Sequence, residues 1–263
     1  MTAKAASTSM NVGATTTITA SGQGTITYKS SDTSIATVSS SGKVTGVGAG
    51  SAKITVTAAG NDTYNSASST VTIKITLSTG KISSLKNTSK GITVKWSKVT
   101  GAKGYYVYRK KSSAKSYTKI KTITSGSTVS YTDTAVKSKN GTTYQYKVVP
   151  YSGSVTGSGT ASKTVRLTAV SLSSVKNSSS KKITVKWKKT TKVTGYQIQY
   201  STSKTFSSGN KTKKVSGASK TSATISSLTK GKTYYVRIRT YKTVNGKTYY
   251  SAWSSKKAVK VSK

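Results

Sequence analysis

The chain has 263 residues, with 44 Lys+Arg, only 3 Asp+Glu and a formal charge of +41; histidine and cysteine are both absent. That composition rules out a thiol nucleophile, a Cys/His zinc site and a Ser-His-Asp triad. The only carboxylates are Asp32, Asp62 and Asp133, all at predicted turns, so a glycosidase pair and a calcium cage are nearly excluded as well. The sequence reads as non-catalytic, and nothing in it calls for a cofactor. Hydrophobic residues make up 33%, with 17 Tyr and 3 Trp, enough for several small cores. The length suggests two or three domains, and no apolar run is long enough to span a membrane.

Residues 1–77 open with Ala3-Lys4-Ala5, which has the small-x-small spacing of a secretory cleavage site. No sortase-type LPxTG sequence occurs. Tyr28-Lys29-Ser30-Ser31-Asp32 then leads to Gly42-Lys43-Val44, and Gly46, Gly48 and Gly50 precede Ile54-Thr55-Val56. Asp32 is placed to accept the following backbone amides in an Asx turn, and the three glycines permit backbone angles that other residues resist. This stretch resembles the bacterial immunoglobulin-like group 2 (BIG2) domain, in which an aromatic precedes Ser-Ser-Asp and a Gly-rich turn precedes the Ile-Thr-Val strand. Tyr28 stands where Trp is common in that family.

The next two stretches repeat each other. Ile92-Thr93-Val94-Lys95-Trp96 followed by Gly104-Tyr105 returns as Ile183-Thr184-Val185-Lys186-Trp187 followed by Gly195-Tyr196, an offset of about ninety residues that marks tandem whole domains. Within each copy the period is two: Ile183, Val185 and Trp187 alternate with Thr184 and Lys186, as in a strand with one buried face. Turn signals such as Asn140-Gly141, Ser208-Gly209-Asn210 and Asn245-Gly246 separate the runs, the pattern of an antiparallel sandwich.

These residues resemble fibronectin type III domains over 78–168 and 169–263. The likeness rests on the tryptophans at 96 and 187, the Gly-Tyr opening of the next strand, and the turns Gly141-Thr142-Thr143-Tyr144 and Gly231-Lys232-Thr233-Tyr234. It implies that Tyr144 and Tyr234 form tyrosine corners. Ser251-Ala252-Trp253-Ser254 looks like the last-strand end of many such domains. The expected fold is all-β: three tandem β-sandwiches, one immunoglobulin-like and two fibronectin type III, in an extended arrangement.

The charge is uneven across these units. Residues 1–77 hold 5 basic and 2 acidic side chains, 78–168 hold 17 and 1, and 169–263 hold 22 and none. The three acids are read as turn carboxylates that accept backbone donors, and the depletion elsewhere as a property of the surface. Lys outnumbers Arg 40 to 4, which suits diffuse, salt-sensitive attraction to a polyanion better than a shaped pocket. Runs such as Lys181-Lys182, Lys188-Lys189, Lys213-Lys214 and Lys256-Lys257 read as solvated edges that discourage sheet-to-sheet pairing.

One constellation is sharper. Tyr235, Arg237 and Arg239 fall on the outer face of one strand, and Trp253 on the strand expected to pair with it, so the guanidinium groups can stack on the indole. With Tyr249, Tyr250, Lys256 and Lys257 they form the candidate ligand surface; of each Tyr-Tyr pair, one ring is expected to point inward. The resemblance implies a non-catalytic adhesion or spacer segment of a secreted or surface protein of Gram-positive bacteria. Its basic last domain would meet a polyanionic cell-wall polymer such as teichoic acid, or a host glycan, and its first domain another protein. Accessory domains of a larger cell-wall hydrolase or glycosidase, a phage virion protein and nucleic-acid binding stand as alternatives. The sequence sets no oligomeric state.

Overall fold

The computed structural model describes residues 1–262, and among them every regular element is a strand apart from one 3-10 turn at Thr134–Val136. The strands form six sheets that face each other in pairs around three separate apolar cores. Tandem antiparallel sandwiches are what the period-two patterning requires: a half-buried sheet must cover its apolar face with another sheet.

In the first sandwich, Thr15–Ser21 pairs with Thr2–Ala5 and Lys43–Gly46, and Gly50–Ala58 lies between Ala67–Thr76 and Ile26–Ser30. Ala52, Ile54 and Val56 of Gly50–Ala58 point inward against Ile73 and Ile75. The Asx turn is present: the Ser34 amide donates to Asp32 Oδ1 at 2.9 Å and the Ser34 hydroxyl at 2.6 Å. The glycines play a different part from the one their sequence suggested. Of Gly46, Gly48 and Gly50, only Gly50 takes a positive φ, +158°. Gly48 is instead confined by contact, since a Cβ there would sit 2.5 Å from the Ser34 carbonyl oxygen.

The second and third sandwiches share one strand order. In the second, Ile92–Trp96 lies between Ile82–Asn87 and Ser130–Asp133, facing a sheet in which Gly104–Lys111 lies between Thr118–Ile123 and Thr143–Ser152. In the third, Lys182–Trp187 lies between Leu172–Ser179 and Ser222–Ile225, facing a sheet in which Gly195–Ser201 lies between Lys211–Ser216 and Thr233–Val244. The repeated residues do repeated work. Trp96 and Trp187 are both 3% exposed, and each indole packs against a tyrosine, at 5.4 Å from Tyr105 and 5.1 Å from Tyr196. Those tyrosine hydroxyls tie distant loops together: Tyr105 donates to the Gly126 carbonyl and Tyr196 to the Ala218 carbonyl. The preceding glycine is fixed by crowding, because a Cβ on Gly104 or Gly195 would meet the carbonyl of Ile123 or Val215 at 2.2 Å.

Of the two tyrosine corners expected from the repeat, one is present and one needs correction. In the third sandwich the Thr229 amide donates to the Tyr234 hydroxyl at 3.1 Å, as a tyrosine corner requires. In the second, the corresponding Lys139 amide donates to the Val136 carbonyl instead. The 3-10 turn absorbs that amide, so Tyr144 makes no such corner and packs beneath the Arg109 guanidinium, 5.5 Å from its ring.

The acids also differ from the turn reading. Asp133 ends the strand Ser130–Asp133, is 1% exposed and accepts no backbone donor at the following turn. Its Oδ2 takes the Arg109 Nη1 and the Tyr146 hydroxyl, each at 2.7 Å. Asp62 is exposed, and the Asn61 side chain holds that turn in its place, accepting the Thr63 and Tyr64 amides. Only Asp32 does what all three were expected to do.

Candidate functional site

The strand Thr233–Val244 organises the candidate surface. Val236 and Ile238 are fully buried in the third core, which turns Tyr235, Arg237 and Arg239 outward, half-buried, on the other face. Opposite them the register places Gln199 against Arg237 and Gln197 against Arg239. Cross-strand neighbours on one face touch, and each glutamine accepts from its arginine: Arg237 Nε to Gln199 Oε1 at 2.7 Å, Arg239 Nε to Gln197 Oε1 at 2.8 Å. The guanidinium planes are thereby held upright.

Aromatic rings fill the gaps between those planes. Arg237 lies 4.1 Å from the Phe206 ring and 4.7 Å from Trp253, and Arg239 lies 4.2 Å from Trp253 and 3.7 Å from Tyr250. The result is a five-layer stack, Phe206–Arg237–Trp253–Arg239–Tyr250, in which every cation faces two rings. Burial pulls both guanidinium pKa values below the ordinary arginine range, and Arg237 adds to the effect on Arg239. At the flanks the Lys256 Nζ lies 5.8 Å over the Tyr235 ring and the Lys247 Nζ 5.7 Å over Tyr249.

Trp253 reaches this position from a segment that is not a strand. Residues 251–256 run between Lys247–Tyr250 and Lys257–Lys260. Both of those strands pair with Thr233–Val244, at its two ends. Between them, serine hydroxyls replace the ladder: Ser251 Oγ accepts the Thr240 amide and Ser254 Oγ the Ile238 amide, each at 3.0 Å. Ser251 and Ser254 return their own amides to the same two residues. The serines thus satisfy the strand's edge and swing the intervening Trp253 over its face. Lys257 begins the last strand and is exposed, while Lys256 donates to the Lys204 carbonyl at 2.8 Å. The expectation of one inward ring holds for Tyr105-Tyr106, where Tyr105 is buried and Tyr106 stacks on Tyr151 at 4.4 Å. It fails for Tyr249-Tyr250, where both rings are half-buried. Both rings lie on a hairpin and face cations instead, Tyr250 against Arg239 and Tyr249 under Lys247.

This hairpin walls a groove of about 650 Å³ between the second and third sandwiches. One side is Ile82–Asn87 with residues 162–164; the other is Arg239 with residues 247–253. The two sandwiches are bonded across the junction. Asn87 Nδ2 donates to the Tyr250 carbonyl, Asn140 Nδ2 to the Thr191 carbonyl, Lys242 Nζ to the Gly141 carbonyl and Thr240 Oγ1 to the Thr168 carbonyl. Sequence reasoning found the arginines and Trp253 but missed Gln197, Gln199 and Phe206. The alternation Tyr196-Gln197-Ile198-Gln199 carries a signal for the glutamines. Phe206, the chain's only phenylalanine, sits in a turn with φ +57°, which no local pattern foretells.

Among the described residues no cluster of three or more Asp or Glu side chains is placed to hold a metal ion. No helix is long and apolar enough to cross a membrane. The single ion pair among the described residues is Arg109–Asp133 in the second sandwich.

Two family models match parts of the chain. Residues 11–60 match the immunoglobulin-like domain of intimin, and residues 168–257 match the fibronectin type III domain. No curated protein matches the chain. Among solved structures, the FN1–FN3 domains of chicken CNTN1 align at 17% identity and a TM-score of 0.38, covering 99% of this chain and 98% of that one. The chicken interferon gamma receptor alpha chain aligns at 12% identity and a TM-score of 0.34, covering 70% and 98%. The chain is a tandem of all-β sandwiches in which an immunoglobulin-like domain of the intimin type is followed by a fibronectin type III domain.

Proposed function

We propose that this chain is a non-catalytic adhesion or spacer segment of an extracellular bacterial protein, and that its last module associates with polyanions such as cell-wall teichoic acid or host glycans. The modules are a group 2 immunoglobulin-like domain at 1–77 and fibronectin type III domains at 78–168 and 169–263. One observation carries the reading. Residues 169–263 hold 22 basic side chains and no acid, so nothing within that module neutralises its cations. Among the described residues no lysine is buried. The edge strand Lys211–Ser216 presents its lysines to solvent, where they act at a distance and are screened by salt. The near-neutral first module is left to project outward or to hold a protein partner.

Retention of the intact chain on immobilised teichoic acid, heparin, mucin and DNA, at low and high salt, tests this. Retention on a glycan or teichoic acid at low salt that is lost at high salt is the expected outcome. Passage through all four at low salt would overturn the reading.

A further inference from the structure

We propose that the groove between the second and third sandwiches is a binding site for an acidic sugar unit, a ring bearing a carboxylate, sulfate or phosphate. The proposal deepens the polyanion reading and rests on it: the lysine coat gathers the polymer and the groove seats one of its units. The groove's volume of about 650 Å³ lies in the range of small-molecule sites. Its lining contains four cations, Lys86, Lys163, Arg239 and Lys247, and no carboxylate, so an anionic occupant complements it.

Arg239 is the pointed observation. Arg109 and Arg166 have acceptors for their Nη groups, and Arg237, which also bonds only through Nε, lies outside the groove. Arg109 has Asp133, and Arg166, 1% exposed, donates through Nε, Nη1 and Nη2 to surrounding carbonyls and to Asn87. Arg239 uses only Nε, toward Gln197. Its Nη groups are held half-buried at the groove wall, fixed by Tyr250 and Trp253, with no protein acceptor. A pre-oriented planar fork with unused donors matches a carboxylate, sulfate or phosphate.

The rest of the lining favours a sugar over a nucleobase. Base recognition on single strands needs an open aromatic face, whereas Arg237 and Arg239 occupy both faces of Trp253 and Arg239 lies on Tyr250. The remaining surface is rich in hydroxyls, among them Ser84, Ser162 and Thr248, which suit a polyhydroxylated ring.

Calorimetric titration of the intact chain tests this, with short oligomers of a carboxylated glycan, a sulfated glycan, glycerol phosphate and DNA as separate probes. Arg239→Lys keeps the net charge but removes the fork. Ser83→Trp fills the groove from the second sandwich, at an exposed position away from the stack. Each variant is expected to weaken the acidic glycan oligomer about tenfold, while retention of the long polymer at low salt is unchanged. The preferred arm identifies the anionic group. Equal affinity for wild type and both variants would overturn the groove, as would no binding of the short glycans while the polymer is retained, or tightest binding of glycerol phosphate or DNA. Loss of the polymer itself from the wild-type chain would overturn the polyanion reading along with it.

Discussion

Replacing Asp133 by alanine is expected to lower the unfolding free energy of the second sandwich by about 3–5 kcal/mol, the usual cost of removing one partner of a buried ion pair. The carboxylate is 1% exposed and accepts two charge-assisted bonds of 2.7 Å, from Arg109 and from the Tyr146 hydroxyl. Alanine strips both donors of their acceptor and leaves the Arg109 guanidinium half-buried and uncompensated, in a chain already at +41. Asp133→Asn retains the volume and one acceptor and should cost less. Urea denaturation resolves the difference, with the third sandwich's transition as internal reference. A shift under about 1 kcal/mol would mean that the pair is solvated after all.

The same cluster has an alkaline signature. Burial, and then the Asp133 charge, push the Tyr146 phenol far above the ordinary tyrosine value. Above about pH 10 the unfolded chain releases this proton while the folded chain keeps it, so the unfolded state binds fewer protons. Stability contributed by this group is therefore intact below pH 10 and falls by about 1.4 kcal/mol per pH unit above it. Tyr146→Phe should remove that slope. The difference between the two curves separates the effect from lysine discharge, which both proteins share.

Arg166→Ala is the second large expected effect, also about 3–5 kcal/mol, because it opens a cavity and orphans buried carbonyls at once. Arg166 joins the 3-10 turn to the Asn87 loop: Nε and Nη2 reach the Lys137 carbonyl at 3.1 and 2.7 Å, and Nη1 reaches those of Thr88 and Gly91 at 2.9 Å each. Asn87 in turn accepts the Leu167 amide and donates to the Tyr250 carbonyl in the third sandwich. The substitution should thus also loosen the junction and weaken binding in the groove, which Asp133→Ala should leave largely intact. Arg166→Lys will not rescue it, since three donors on a flexible stem cannot serve this planar set of acceptors. Calorimetric unfolding, together with the acidic-oligomer titration, separates the two variants.

Faces were legible in the sequence because alternation is local. Val236 and Ile238 inward with Arg237 and Arg239 outward follows from period two alone, whereas the place of Gln197 and Gln199 opposite those arginines depends on the strand register. What depends on chain far away was not legible. Asp133 reads as a turn carboxylate until the strand Gly104–Lys111 brings Arg109 against it. The groove exists only because Asn87, Asn140 and Lys242 fix one sandwich against the next. The usage of Arg against Lys did carry a hint. Each of the four arginines makes a planar contact, as an ion pair, a carbonyl cradle or a ring stack, whereas no lysine among the described residues is buried. In a chain this rich in lysine, arginine marks the places where geometry matters.

The most direct measurement of the cationic coat is the dependence of log Kobs on log[salt] for a flexible polyanion. It compares the wild-type chain with two triple variants of equal charge change. Lys188, Lys189 and Lys211→Gln removes exposed cations from the third sandwich, and Lys29, Lys43 and Lys53→Gln removes them from the first. The expected result is a steep negative slope that the third-sandwich variant flattens by about two and the first-sandwich variant leaves in place. A wild-type slope near zero, or identical slopes for the two variants, would contradict an attraction that resides in the unpaired charge of the last module.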